Sequence, residues 1–182
     1  MIINLEEILE NGLSLNLVVK PENFPTLVEM NETGEFNFRK PITIDLEINK
    51  IKEFIEVNGN FQTDVGFTCS RCLNEFQSVM KDAFSITYTK NLPEYADDFS
   101  DEGRELLSEE MGLVLFKGNK IDLRDAIQEQ IVLAVPLKTL CSEECKGLCS
   151  KCGKDLNRKE CTCENENIDI RLAVLKNFKP SN

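Results

Sequence analysis

The stretch Pro-Ile-Thr-Ile-Asp-Leu-Glu-Ile at 41–48 decides the fold of this chain. Apolar side chains occupy every second position and polar residues stand between them, which indicates a strand with one buried face. Residues 13–20 alternate in a similar way before it. A strand that buries one face needs neighbouring strands and a layer to pack against, so the surrounding sequence has to supply both.

Three further segments predict the neighbouring strands. A strand is expected over 53–58, and the Asn58-Gly59 pair that follows indicates either a tight turn or a bulge in a longer strand running to Phe67. After two cysteines, 76–90 alternates again. We therefore expect an antiparallel meander over 41–90, with the first Cys-x-x-Cys pair at one of its turns.

One helix is expected to pack on this sheet. A short strand over 112–117 precedes Asp122, which is typical of a helix N-cap, and an apolar stripe at helical spacing then includes Ile127 and Ile131. Pro136 ends the helix. The predicted fold is α+β, and residues 1–137 form its body, an antiparallel sheet with a packed helix.

The charge of the chain is unevenly distributed. Residues 1–137 carry 12 Lys and Arg against 25 Asp and Glu, a net of −13, whereas 138–182 carry 9 against 7. An acidic surface repels phosphate, so the body favours a basic protein partner over nucleic acid. The acidic segment 94–110 predicts a solvated loop, with a docking patch for a basic partner as the alternative.

The N-terminus and the absence of histidine set the chemistry expected of the eight cysteines. The first twelve residues lack a basic region and carry three glutamates, and no apolar run approaches the roughly 20 residues of a membrane span. We therefore expect a cytoplasmic protein with reduced thiols, in which many cysteines indicate metal or redox chemistry. Without histidine, a metal site must use cysteine alone or cysteine with carboxylate.

The spacing of the cysteines favours two sites of four ligands each. A local site would use the thiols of Cys149, Cys152, Cys161 and Cys163. A long-range site would use Cys69, Cys72, Cys141 and Cys145. In each Cys-x-x-Cys pair, two intervening residues let both sulfurs reach one ion, and the second pair of the long-range site would share a face of a helical turn. Spacing alone allows other pairings.

Zinc, about two ions per chain, is the metal that these thiols favour. A redox switch, an iron–sulfur cluster and a rubredoxin-like iron are the alternatives. Residues 138–182 are then a cysteine-rich, metal-binding tail, ending in a short helix that Asp169 caps. With all eight thiolates and two zinc ions counted, the tail's net charge of +2 becomes about −2, so it is not a strongly basic RNA-binding surface.

Several motifs of the chain resemble those of the YceD-like family. Cys-Ser-Arg-Cys-Leu at 69–73, with Phe76 after it, is similar to the family's CxRCL signature. Residues 145–157, the Cys-Thr-Cys at 161–163 and the segment 168–175 resemble its C-terminal signature. The resemblance covers roughly residues 40–178 in the family's order. Ile170 departs from it, since the family often has proline there.

The resemblance implies a bacterial, non-enzymatic factor that supports 23S rRNA accumulation or processing and assembly of the large ribosomal subunit. The implied partners are ribosomal RNA, ribosomal proteins of the large subunit or a ribonuclease, with no membrane and no small-molecule substrate. It brings no catalytic residue, and it makes the acidic segment a variable insertion. The alternative function is a thiol redox or metal-sensing protein that uses its Cys-x-x-Cys motifs. A hydrolase is disfavoured because no carboxylate pair has a recognisable spacing.

Overall fold

The computed structural model describes residues 1–9, 11–34, 36–91, 112–158 and 161–163, which form an α+β fold. A mixed sheet contains strands β2 to β7, at Leu13–Val19, Phe36–Phe38, Ile42–Ile51, Phe54–Thr68, Glu75–Thr89 and Leu113–Leu115. A small antiparallel sheet pairs β1 at Ile2–Asn4 with β8 at Lys120–Asp122. The two helices are α1 at Pro25–Thr33 and α2 at Arg124–Leu133.

The predicted meander is confirmed. β4, β5 and β6 pair in sequence and antiparallel, β2 adds to the free side of β4, and β3 extends the β4 side of β5. The alternating apolar residues of β4 are the centre of the core, each at most 1% exposed: Ile42, Ile44, Leu46 and Ile48. The first Cys-x-x-Cys pair occupies the turn between β5 and β6, as predicted.

The Asn58-Gly59 pair forms neither a turn nor a bulge, but the longer strand predicted to run on to Phe67 is confirmed, since β5 extends to Thr68. The pair lies inside β5, where the register with β6 runs unbroken through Asn58↔Ser85 and Gly59↔Phe84. A Cβ atom on Gly59 would lie 2.7 Å from Cε2 of Phe84 and 2.8 Å from Cδ2 of Leu46. The glycine is therefore required because two core side chains occupy the space above it, not because the chain turns.

The predicted helix and its apolar stripe are also confirmed. α2 buries Ile127 and Ile131 completely against the core. It begins at Arg124, and the carboxylate of Asp122 accepts the backbone N–H of Arg124 at 3.0 Å. Asp122 thus satisfies a free donor of the first turn, as an N-cap side chain does, although Leu123 stands between it and the helix.

Some features of the fold carry no clear signal in the sequence. α1 starts at Pro25, and β7 pairs with β6 in parallel. The acidic segment 94–110 and the final helix expected from Asp169 lie outside the described residues. Within the described ranges, no helix is long and apolar enough to cross a membrane.

Candidate metal centres

The turn between β5 and β6 is a compact knuckle at residues 69–74, here called the first knuckle. The backbone N–H of Cys69 donates to the carbonyl of Asn74 at 2.9 Å, and the N–H of Leu73 donates to the carbonyl of Cys69 at 2.9 Å. Leu73 adopts a left-handed conformation with φ of 58° and leaves its side chain 65% exposed. The turn encloses the side chains of Cys69 and Cys72, which are both buried.

The same turn recurs at residues 149–154, the second knuckle. The N–H of Cys149 donates to the carbonyl of Lys154 at 2.8 Å, and the N–H of Gly153 donates to the carbonyl of Cys149 at 2.8 Å. Gly153 has a φ of 69°, so it takes the left-handed position that Leu73 takes in the first knuckle. A short antiparallel bridge joins Leu148 to Asp155 at the base of this turn. Both knuckles therefore present two sulfurs in the same way.

The first quartet joins the first knuckle to the tail. Its thiols belong to Cys69, Cys72, Cys141 and Cys145, and their sulfur atoms all lie within 4.8 Å of one another. Cys69 Sγ is 3.8 Å from Cys145 Sγ, and Cys72 Sγ is 3.7 Å from Cys141 Sγ. Four sulfurs at about 2.3 Å from a tetrahedral zinc would be about 3.8 Å apart, whereas a disulfide requires about 2.05 Å. The geometry fits a tetrahedral cation.

The second quartet lies within the tail. It consists of Cys149, Cys152, Cys161 and Cys163. Cys161 Sγ is 3.5 Å from Cys152 Sγ and 3.4 Å from Cys149 Sγ, and the N–H of Cys163 donates to Cys161 Sγ at 3.3 Å. This quartet is more exposed than the first, with Cys152 at the surface. Its sulfurs are also close enough to share one ion.

Each quartet contains a thiol with a lowered pKa beside at least one with a raised pKa, and in the first quartet the pKa values of both Cys72 and Cys141 are raised. Burial raises the pKa of Cys69, but N–H groups of Cys141, Cys72 and Arg71 outweigh burial and lower it to about 6. Hydrogen bonding to Cys145, with burial, raises the pKa of Cys141 to about 12. Four thiolates so close together repel one another, so the complete set ionises only around a cation.

The second quartet shows the same division. N–H groups of Cys152 and Lys151 lower the pKa of Cys149 to about 6. Hydrogen bonding to Cys161 and Cys152 raises the pKa of Cys163 to about 12. Repulsion between the thiolates keeps the remaining thiols protonated. A bound dication would offset this repulsion, so its binding would release these protons.

Arg71, inside the first knuckle, holds the tail against the body. Its Nη1 donates to the carbonyls of Glu143 and Cys145, each at 2.9 Å. Its own carbonyl accepts the N–H of Leu148 at 3.1 Å. Gly147 lies between these contacts with a φ of 74°, and a Cβ atom there would be 2.9 Å from the Arg71 carbonyl oxygen.

Three polar side chains connect the two quartets. Asn74 donates to Asp155 Oδ2 at 2.7 Å, which links the two knuckles. Asn157 donates to Cys145 Sγ at 3.3 Å and accepts the N–H of Lys146 at 2.8 Å. The N–H of Asn157 and the amide of Asn74 hold the pKa of the Asp155 carboxyl below its usual range. Such contacts around a ligand sulfur orient it for the metal.

The structure brings all eight predicted cysteines together, in the two groups of four that the spacing favoured. Cys141 and Cys145 meet without the expected helical turn, because the N–H of Cys145 donates to the carbonyl of Ser142 at 3.0 Å in a simple turn. The metal role of the eight thiols stays a prediction. Sequence reasoning assigned no role to Arg71, Asp155 or Asn157, although all three lie within the motifs that resemble the family's.

The chain is similar to proteins named for ribosomal RNA. The chloroplastic large ribosomal RNA subunit accumulation protein YCED homolog 1 of Arabidopsis thaliana is 22% identical over 156 residues, covering 76% of this chain and 49% of the relative. The homolog in Zea mays is 26% identical over 157 residues, covering 76% and 53%. An uncharacterized protein of Mycobacterium tuberculosis is 29% identical over 134 residues, covering 74% and 60%. The matches thus span about half to three fifths of the relatives' own lengths.

No solved structure matches the chain. The family model described as large ribosomal RNA subunit accumulation protein YceD matches residues 57–179, a range that includes both knuckles and all eight cysteines. Because that range is well over half of the 182 residues, the chain belongs to the YceD family.

Proposed function

We propose that this chain is a non-enzymatic cytoplasmic factor that supports 23S rRNA accumulation and assembly of the large ribosomal subunit, and that it contains two structural zinc ions. The observation that carries the RNA role is membership of a family named for accumulation of the large ribosomal RNA subunit. The two cysteine quartets carry the metal role.

Zinc is the metal that best suits both quartets. Thiolates are soft ligands, and a tetrahedral set of four selects zinc or iron–sulfur chemistry. Four protein ligands on one zinc leave no open position for a water or a substrate, which favours a structural role over a catalytic one. In the first quartet, the ion would join the β5–β6 turn to the tail, so metal binding and attachment of the tail would be the same event.

The partners proposed are ribosomal RNA or ribosomal proteins of the large subunit, or a ribonuclease acting on the same RNA. The acidic body supports contact with a basic protein, since residues 1–137 have a net charge of −13. The metal-filled tail, at a net charge of about −2, adds no positive charge. Broad contact with RNA phosphates is therefore the less favoured mode of action.

Burial counts against the alternative function, a thiol redox or metal-sensing protein. Reactive cysteines are partly exposed in addition to having a lowered pKa. Cys69 is fully buried and Cys72 is only 3% exposed. A thiol-reactive dye should therefore label these two residues only after a chelator is added. Rapid labelling of the purified protein without chelator would favour the redox alternative.

Depletion of the protein tests the ribosomal role. After depletion, sedimentation should show fewer large subunits relative to small subunits, and 23S rRNA should fall relative to 16S rRNA. Expression of the wild-type chain should restore both, whereas a Cys69→Ser, Cys72→Ser variant should not. Unchanged large-subunit levels after verified depletion would overturn the proposal. Independently of that result, crosslinking before lysis would identify which RNA or protein this chain contacts.

A further inference from the structure

The outer edge of β2 is unpaired in the described part of the chain. One edge of this strand pairs with β4 along its whole length, from Leu13↔Ile48 to Val19↔Ile42. No strand in the described ranges pairs with its other edge. Such an edge presents a row of backbone N–H and C=O groups, to which a further strand can add.

Features that normally prevent strand addition are missing from β2. Proteins protect sheet edges with charged side chains, proline, bulges or very short strands. β2 is seven residues long, reads Leu-Ser-Leu-Asn-Leu-Val-Val and keeps an unbroken register with β4. Lys20 and Pro21 come only after its last residue. The strand is therefore open to pairing over about 23 Å.

The inner face of β2 lacks part of its cover. Its four apolar side chains are only half-buried: Leu13, Leu15, Leu17 and Val19. Their partners on β4, at the same level of the sheet, are at most 1% exposed. The difference arises because β4 has a neighbour on both sides and β2 has one. An added strand with apolar residues at alternate positions would complete this row.

The charges beside the edge indicate what kind of strand would add. On the outer face of the sheet, Glu47 lies opposite Ser14 and Asp45 lies opposite Asn16, whose amide donates to the Asp45 carboxylate. Both acidic residues are exposed. A second copy of the chain would bring another net charge of −11 to this edge, which disfavours self-pairing. The charge favours a cationic partner.

We propose that the outer edge of β2 binds an extended segment of a basic protein, in which apolar residues alternate with Lys or Arg. The segment would pair as a strand with β2, place its apolar residues beside Leu15 and Leu17, and place its cations near Asp45 and Glu47. This interaction does not depend on the proposed ribosomal role or on either quartet.

A synthetic peptide tests the interaction. The probe is acetyl-Lys-Val-Lys-Val-Lys-Val-Lys-amide, and a peptide with Glu in place of Lys is the control. Titration of the full chain should shift the backbone amide NMR signals of residues 13–19 with the lysine peptide only. Two further probes carry N-methyl groups, either on every valine or on every lysine. Since alternate N–H groups of a strand point to the same edge, one of these probes must lose binding.

Val18 provides a matched pair of protein variants. Its side chain is on the outer face of β2 and is 68% exposed, so substitution there leaves the core intact. Val18→Lys should weaken binding of the lysine peptide roughly threefold by like-charge repulsion across the strands, and Val18→Glu should strengthen it by a similar factor.

Four results would overturn the inference. These are equal binding by both N-methylated probes, no shift in residues 13–19, protection from exchange, without any peptide, of the β2 amides that point away from β4, and a dimer of the chain that Val18→Lys disrupts. The third would mean that the chain covers the edge itself, and the fourth that a second copy does. None of the four would change the result of the depletion experiment, so the two proposals fail separately.

Discussion

Arg71 shows how one residue connects two distant parts of the chain. It stands between the two cysteines of the first knuckle, yet its guanidinium binds carbonyls more than 70 positions further on, at Glu143 and Cys145. Hydrogen bonds that involve a charged group contribute about 1.5–3 kcal/mol in partly buried sites, and of these two the bond to Cys145 is partly buried whereas the bond to Glu143 is exposed to solvent. The knuckle therefore carries, besides its two thiols, the contacts that hold the tail on it.

At the residue scale, Gly147 is expected to be essential for this contact. Gly147→Ala should lower the free energy of unfolding by about 2–4 kcal/mol, because it adds a left-handed alanine and a clash with the Arg71 carbonyl. Gly118→Ala is the matched control, since Gly118 has a φ of 80° with nothing within 4 Å of its missing Cβ atom. Urea unfolding measures both. Equal losses would show that the close approach to Arg71 costs nothing.

The longer strands of the main sheet followed from the sequence because their apolar residues alternate, whereas the three-residue strands β1, β3 and β8 were not predicted. The alternation in β4 predicted its strand and its buried face, and the stripe with Ile127 and Ile131 predicted α2. No apolar pattern predicted α1, which begins at Pro25 because proline fits the first turn of a helix, where its missing N–H is not needed. The parallel pairing of β7 depends on distant chain segments, and no local pattern encodes it.

Gly59 supplies a test at the scale of the sheet. Gly59→Ala should destabilise the protein by about 1–3 kcal/mol, since its Cβ atom would overlap with Phe84 and Leu46 on the two neighbouring strands. Thermal unfolding measures the loss. A smaller side chain at position 84 should relieve the overlap. The double variant Gly59→Ala, Phe84→Leu should therefore lose less unfolding free energy than the sum of the losses of the two single variants. Strict additivity would argue against the contact.

The grouping of the eight cysteines was predictable from the sequence, whereas the polar residues that connect the two groups were not. Cysteine spacing alone favoured the two groups of four that the structure brings together, because two cysteines separated by two residues can reach one ion in a tight turn. The sequence did not predict the hydrogen bonds made by Asn74, Asp155 and Asn157. Asn74 and Asp155 are far apart in the sequence, and Asn157 lies in a turn without a periodic pattern. Ordinary polar residues at such positions carry no distinctive pattern.

At the scale of the whole molecule, the tail is expected to depend on its metal. Large apolar side chains are scarce in 141–163, so burial alone cannot fold this segment. Cys149→Ser should make it sensitive to protease while the sheet stays resistant, because metal binding supplies the folding free energy. Thr162→Ala, an exposed change in the same tail that keeps all eight thiols, is the control. A tail as resistant as wild type would show that the second quartet is not structural.

Metal content tests the central claim most directly. Elemental analysis of the protein purified without added metal should find two zinc ions per chain. A variant with serine at Cys69 and Cys72 should retain one, and so should a variant with serine at Cys149 and Cys152, because each quartet has four sulfurs that could hold its own ion. A wild-type value near zero, or a content that is mainly iron, would contradict the account.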